Sequence, residues 1–194
     1  MINDVIGIDK INGMPALSRA TGAELGKVYD LYVDPAQGIL KGVTIKAPNG
    51  KLGGIDFSNV YSFGNDAVMI NDETQITLLT DEWVEKHPHA KKHLVGTDVM
   101  TEAGNHLGKI SNIFVRLANP PLVIYELSGS MWDQIMGRNL FIYAASARAL
   151  SGNAERLIVP DSVVNSAASN LNELATRPVS DETRTAAAPR NPAV

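Results

Sequence analysis

Apolar and polar positions alternate from Ile39 to Ala47. Ile39, Val43, Ile45 and Ala47 fall on one face, and Thr44 and Lys46 on the other. A period of two is the mark of a half-buried strand. Just before it, Val28-Tyr29-Asp30-Leu31-Tyr32-Val33 is rich in β-branched and aromatic residues, which predicts a second strand. Asp34-Pro35-Ala36-Gln37-Gly38 between them carries the Pro and Gly of a turn. Shorter runs predict strands near 16–18, 51–57, 61–63 and 67–70. Asn49-Gly50 gives a hairpin signal and Gly64-Asn65-Asp66 another turn. Val5, Ile6, Ile8 and Ile11 alternate weakly, as an extra strand or an arm would.

The period changes twice. In 80–93, Thr80 is placed to cap a short helix with Asp81, Glu82 and Glu85 at its positive end, and Pro88 stops it. In Asp161–Thr176, the residues Val164, Ala167, Ala168, Leu171 and Leu174 or Ala175 share one helical face, with Asp161 as cap and Arg177-Pro178 as terminator. Residues 179–194 have no periodicity and a Thr, Ala, Pro and charge-rich composition that predicts disorder.

The strand pattern occurs twice. Thr21–Ile45 aligns without a gap on Ala103–Leu127 at an offset of 82, and seven of the 25 pairs are identical: Gly22/Gly104, Leu25/Leu107, Gly26/Gly108, Lys27/Lys109, Val33/Val115, Ala36/Ala118 and Leu40/Leu122. Gly22 and Gly104 stand where a turn needs a residue tolerant of positive φ. Gly26 and Gly108 open the following strand, where the chain bends or another backbone comes close. The copies diverge after Leu127. The step from Ile45 to Ile55 is matched by a longer one from Leu127 to Ile142, and the five extra residues lie within 128–139.

The Gly-x-x-Leu-Gly-Lys turn, the strand–turn–strand after it and the closing Ile55–Asp66 segment, Ile-Asp-Phe-Ser-Asn-Val-Tyr-Ser-Phe-Gly-Asn-Asp, resemble the PRC-barrel family. This small β-barrel is shared by the H subunit of the photosynthetic reaction centre and the C-terminal domain of a ribosomal-RNA maturation factor. The resemblance runs from about Ala16 to Ile70 and again from about Leu94 to Pro160. It implies an all-β chain of two tandem small barrels joined by a short helical linker, with a C-terminal helix and a disordered tail. The expected boundaries are 1–79 for barrel one, 80–93 for the linker, 94–160 for barrel two, 161–178 for the helix and 179–194 for the tail. Members of the family are mainly binding and assembly modules.

Composition narrows the picture. There are no cysteines, so disulfide and thiolate chemistry are excluded, and a reducing compartment fits. The net charge is −4, and residues 1–80 hold most of it, with six basic and nine acidic groups. No segment is basic, which argues against non-specific nucleic-acid binding. The N-terminal residues lack the basic region and long apolar core of a signal peptide, and no run reaches the roughly 18 apolar residues of a spanning helix. A cytoplasmic chain is the expectation.

Candidate chemistry is sparse. His87, His89 and His93 form the best metal-like cluster; His89 and His93, four apart, share a helical face, but Lys91 and Lys92 oppose a cation and this pair lacks the further ligands of a metal site, so no metal or other cofactor is expected and the segment reads as a solvated linker. Asp30, Asp34 and Asp56 suggest paired carboxylates, yet strand and turn positions account for them. No nucleophile elbow, phosphate loop or dinucleotide fingerprint is present, and an enzyme is not expected. Met131, Trp132, Ile135 and Met136, in the longer 128–139 connection, form an apolar group that either plugs its own barrel or anchors a partner. The favoured function is a non-catalytic adaptor or assembly module with a protein partner, and self-association is compatible with it. A ribosome- or RNA-maturation factor and a peripheral accessory protein of a membrane or photosynthetic complex are the alternatives.

Overall fold

The computed structural model describes residues 5–34, 37–80, 89–118, 120–129, 139–144 and 156–178. In the first half these form β1 (Val5–Gly7), α1 (Ile8–Ile11), β2 (Pro15–Ser18), β3 (Glu24–Asp34), β4 (Ile39–Lys46), β5 (Leu52–Asp56), β6 (Val60–Phe63), β7 (Val68–Ile70) and β8 (Thr77–Leu78). In the second they form β9 (Asp98–Thr101), β10 (His106–Arg116), β11 (Leu122–Ser128), β12 (Leu140–Tyr143), β13 (Arg156–Val159), α2 (Val163–Ser166) and α3 (Leu171–Thr176).

The two halves use one pairing scheme. β2, β3, β4 and β5 are antiparallel neighbours, and β7 returns parallel to β2. β9, β10, β11 and β12 are likewise antiparallel neighbours, and β13 returns parallel to β9. β10 begins and ends at the positions that the sequence repeat makes equivalent to the ends of β3. Each strand breaks register at the same place, between Val28 and Asp30 or between Ile110 and Asn112. Ile55 stands opposite Val43 and Ile142 opposite Tyr125, so the five extra residues fall in the hairpin between β11 and β12.

A single pairing, Ile39 with Leu122, joins β4 to β11 and makes one thirteen-stranded sheet among the described residues. Its path has two ends and several branches, so the sheet is not closed into a barrel; the sequence had suggested two small closed units. Two free edges are covered by other segments. β8 lies along β5 through Gly53–Leu78 and Gly54–Thr77, and Ala168 lies along β12, exchanging hydrogen bonds of 2.9 and 3.0 Å with Phe141. Covering an edge removes a template for unwanted strand addition.

The main core is continuous across both halves, with Val28, Leu31, Val43 and Ile55 in one cluster with Ile110, Ile113, Val123 and Ile142. A smaller cluster under the C-terminal helices holds Ile39, Leu122, Ile124, Phe141, Tyr143, Ala168 and Leu174. The expected single helix over Asp161–Thr176 is two short ones, α2 and α3. The backbone of Ala168 is used as a strand against Phe141, and Asn170 restarts the helix by accepting from the Glu173 amide at 2.8 Å. Arg177 closes the pair, donating to the carbonyls of Ser166 and Ala167 and to the Glu173 carboxylate. Among the described residues no helix is long and apolar enough to cross a membrane.

Candidate functional site

A buried polar arrangement lies where His89–Leu94 crosses β3. Asp30 sits at the β3 bulge and is 2% exposed. Its carboxylate accepts the Leu31 amide at 2.7 Å, the Lys91 amide at 3.1 Å and the Lys92 amide at 3.2 Å. A buried carboxylate is tolerated when its oxygens take several donors. Here two of the donors are the orphan amides that open the π-helical turn Ala90–Leu94. Asp30 therefore fastens a segment 61 residues further along the chain.

His89 is buried, not solvated as the sequence had suggested. Its Nε2 lies 2.8 Å from the Thr44 hydroxyl, and its backbone bridges to Tyr32. The Tyr29 ring meets its imidazole edge-on, with centroids 6.5 Å apart. His93 turns its Nδ1 to the His89 amide, which donates at 2.9 Å. That contact requires an unprotonated Nδ1. Desolvation, and then the neighbouring Lys92, hold the His93 pKa below the ordinary imidazole value, with Asp30 acting in the opposite direction. His89 and His93 are thus engaged in fixing the segment. Among the described residues there is no group of three or more His, Cys, Asp or Glu side chains able to hold a metal ion. His87 lies outside the described residues.

Tyr32 and Asp56 form the other close pair. The Tyr32 hydroxyl donates to Asp56 Oδ1 at 2.5 Å. Its ring lies over Gly42, where a Cβ would meet the Ile55 carbonyl at 2.1 Å and the Tyr32 hydroxyl at 2.3 Å. Burial first, and then the Asp56 contact, push the Tyr32 pKa far above its usual value. The phenol stays protonated at neutral pH and serves as a donor rather than a base. Asp34 accepts the Gln37 amide at 3.1 Å and shapes the β3–β4 turn. The three aspartates are far apart in role: Asp30 fastens a distant segment, Asp56 holds a phenol and Asp34 holds a turn.

The repeat glycines lie at the turns and bends. Gly22 and Gly104 have φ of 71° and 86° with open space where a Cβ would stand. Gly26 and Gly108 have φ of 146° and 121°, and a Cβ there would come within 2.5 Å of the Lys46 carbonyl oxygen or 2.6 Å of that of Ser128. These two glycines let β3 cross β4, and β10 cross β11, at close range. The apolar group Met131, Trp132, Ile135 and Met136 lies outside the described residues.

The exposed face of β6 carries a feature that the sequence reading passed over. Tyr61 is 56% exposed, and the Arg19 guanidinium sits 4.1 Å from its ring centroid. Arg19 also donates to the Asn71 side chain at 3.3 Å. Arg19 and Tyr61 are distant in sequence and belong to no local motif, so only the parallel return of β7 onto β2, with β6 beyond it, brings them together.

No curated protein matches this chain. The antiparallel run from β2 to β5, the parallel return of β7 and the glycines Gly22 and Gly26 all lie in the part of the chain with a known counterpart: residues 3–75 match the model of the PRC-barrel domain, a β fold.

Proposed function

We propose that this chain is a protein-binding adaptor or assembly module that carries two PRC-type units, the second formed by residues 94–160. The support for a second unit is the pairing scheme, repeated from β9 to β13 with the same antiparallel order and the same parallel return.

The observation that carries the binding role is the solvent-facing Tyr61 ring held under Arg19. Tyr and Arg are enriched among the residues that dominate interface energies, and a stacked guanidinium orders both side chains before a partner arrives. The polar groups of the β3 crossing are spent on the protein's own backbone and side chains, whereas this pair faces outward.

The test is crosslinking and affinity purification from native cells with the wild-type chain, with Arg19→Ala/Tyr61→Ala, and with Trp132→Ala/Met136→Ala. A defined set of proteins captured by the wild type and lost with the first double variant, at unchanged melting temperature, supports the reading. Loss with the second variant alone moves the contact to the β11–β12 hairpin. A catch that neither variant alters overturns the role of both surfaces, and ribosomal proteins in it favour the maturation-factor alternative.

A further inference from the structure

Two arms cross between the halves. β1 pairs antiparallel with β10, as Val5 with Arg116, Ile6 with Val115 and Gly7 with Phe114, and α1 then turns Ile8 and Ile11 into the core. In the opposite direction, His89 bridges to Tyr32 of β3, and the turn that follows buries Ala90 and Leu94. At the offset of the sequence repeat, His89 is the equivalent of Gly7 and Phe114 that of Tyr32. Each half sends the segment before its first long strand onto the other half's equivalent strand, at the same position.

The middle of the seam obeys the same exchange. Ile39 pairs with Leu122, and the Leu40 amide donates to the Pro121 carbonyl at 3.1 Å. Ile39 and Pro121 are equivalent positions, as are Leu40 and Leu122, so swapping the halves turns one contact into the other. The Val123 amide adds a bond to the Gly38 carbonyl at 2.9 Å. Reciprocal contacts of this kind define an isologous, two-fold interface. Burial shows that it is integral: Ile8 is 1% and Ile11 0% exposed, and both belong to the continuous core.

We infer that the surface each repeat presents at this seam is a self-association surface, and that the partner it fits is a second copy of the repeat unit. The chain is a two-fold dimer written on one polypeptide. The halves hold together through the exchanged arms and the Ile39–Leu122 contact, not through the peptide connection between them. This inference rests on the arms and the core and is independent of the binding role proposed for Tyr61.

The experiment cuts the connection in the intact protein. A specific protease site is placed within residues 81–88 of the full chain, the folded protein is cleaved, and the product is followed by native mass spectrometry and urea unfolding. The expected result is a non-covalent complex of both pieces with one unfolding transition. Its midpoint rises with protein concentration, while the uncut chain's does not. Ile8→Ala with Ile11→Ala should raise the dissociation constant of the cut protein at least tenfold. Separation into two folded pieces, two independent transitions, or loss of structure on cutting would overturn the inference, and an unchanged dissociation constant would remove the arm from the interface.

Discussion

Asp30 and Asn112 are equivalent positions of the two repeats, at the same strand bulge, and each side chain accepts the amide of the next residue, at 2.7 Å from Leu31 and 2.8 Å from Ile113. Only Asp30 goes further, taking the amides of Lys91 and Lys92 as well. The charge is present where the amides of the arm reach the bulge residue, and absent at Asn112, where the arm on β10 is held by strand pairing instead. Asp30→Asn retains one acceptor oxygen and turns an NH2 group toward a backbone N–H. It should cost about 1–3 kcal/mol, the range for a buried donor left unsatisfied. Asn112→Asp keeps its acceptor and should change stability by less than about 0.5 kcal/mol. Urea melts of the two variants check this, and equal losses would show that the carboxylate is not what fastens the Ala90–Leu94 turn.

The four motif glycines should separate into two classes. Gly22→Ala and Gly104→Ala place a side chain in left-handed backbone with nothing nearby to strike, a cost of about 1–2 kcal/mol. Gly26→Ala and Gly108→Ala add a collision with a carbonyl oxygen of the neighbouring strand and should cost about 3 kcal/mol or more. Thermal melts of the four variants would disprove the distinction if their shifts were alike.

Alkaline pH should destabilise the fold through two tyrosines. Tyr32 and Tyr125 both have pKa values raised above the ordinary phenol value, and burial is the leading cause in each. The native state therefore holds protons that the unfolded chain releases above about pH 10. Stability is full below that pH and is lost as pH rises through and beyond it. Urea midpoints measured from pH 8 to 11 should fall at the alkaline end, and Tyr32→Phe should flatten the fall. A midpoint that stays level to pH 11 would contradict the assignment.

On the acid side the sign reverses. His93 is held below its ordinary pKa, so the unfolded chain binds a proton more readily than the native one. The contribution is present above about pH 6.5 and lost as pH falls through that value toward the folded pKa. Protonation also removes the acceptor for the His89 amide. Nuclear magnetic resonance titration should place the His93 midpoint below about 6.5, and amide exchange at His89 should accelerate over the same range. His93→Gln should abolish that coupling.

Much of the sheet was legible because local chemistry determined it. Ile39–Lys46 and Leu52–Asp56 fall within a residue of the runs expected from alternation, since one face of each is buried and Asn49-Gly50 sets the hairpin between them. The glycine repeat located the equivalent strands, because a positive φ or a close backbone crossing admits few other residues. Where the exchanged arms dock was not legible. The weak alternation of Val5, Ile6, Ile8 and Ile11 did suggest an extra strand or an arm, and Val5–Gly7 is a strand, but its partner Phe114 lies in the other half of the chain, so no local pattern names its destination. His89 looked like a surface histidine because its neighbours are Lys and Pro, and its burial depends on Thr44 and Tyr29 from strands far off in sequence. The helix expected over Asp161–Thr176 had the right period but failed at Ala168, whose backbone the free edge of β12 recruits.

The pairing of Ile6 with Val115 also sets a timetable for synthesis. A chain made at about 5–20 residues per second exposes the first arm roughly 5–20 seconds before its acceptor strand exists. Throughout that interval Ile6 lacks its native strand partner, and the core around Ile8 and Ile11 is incomplete. The first half must wait for the second, and contacts of such long sequence separation are slow to form. The nascent arm therefore needs shelter on the ribosome, and truncating the message before β10 should yield a product that pairs with a second copy of itself, aggregates or is degraded.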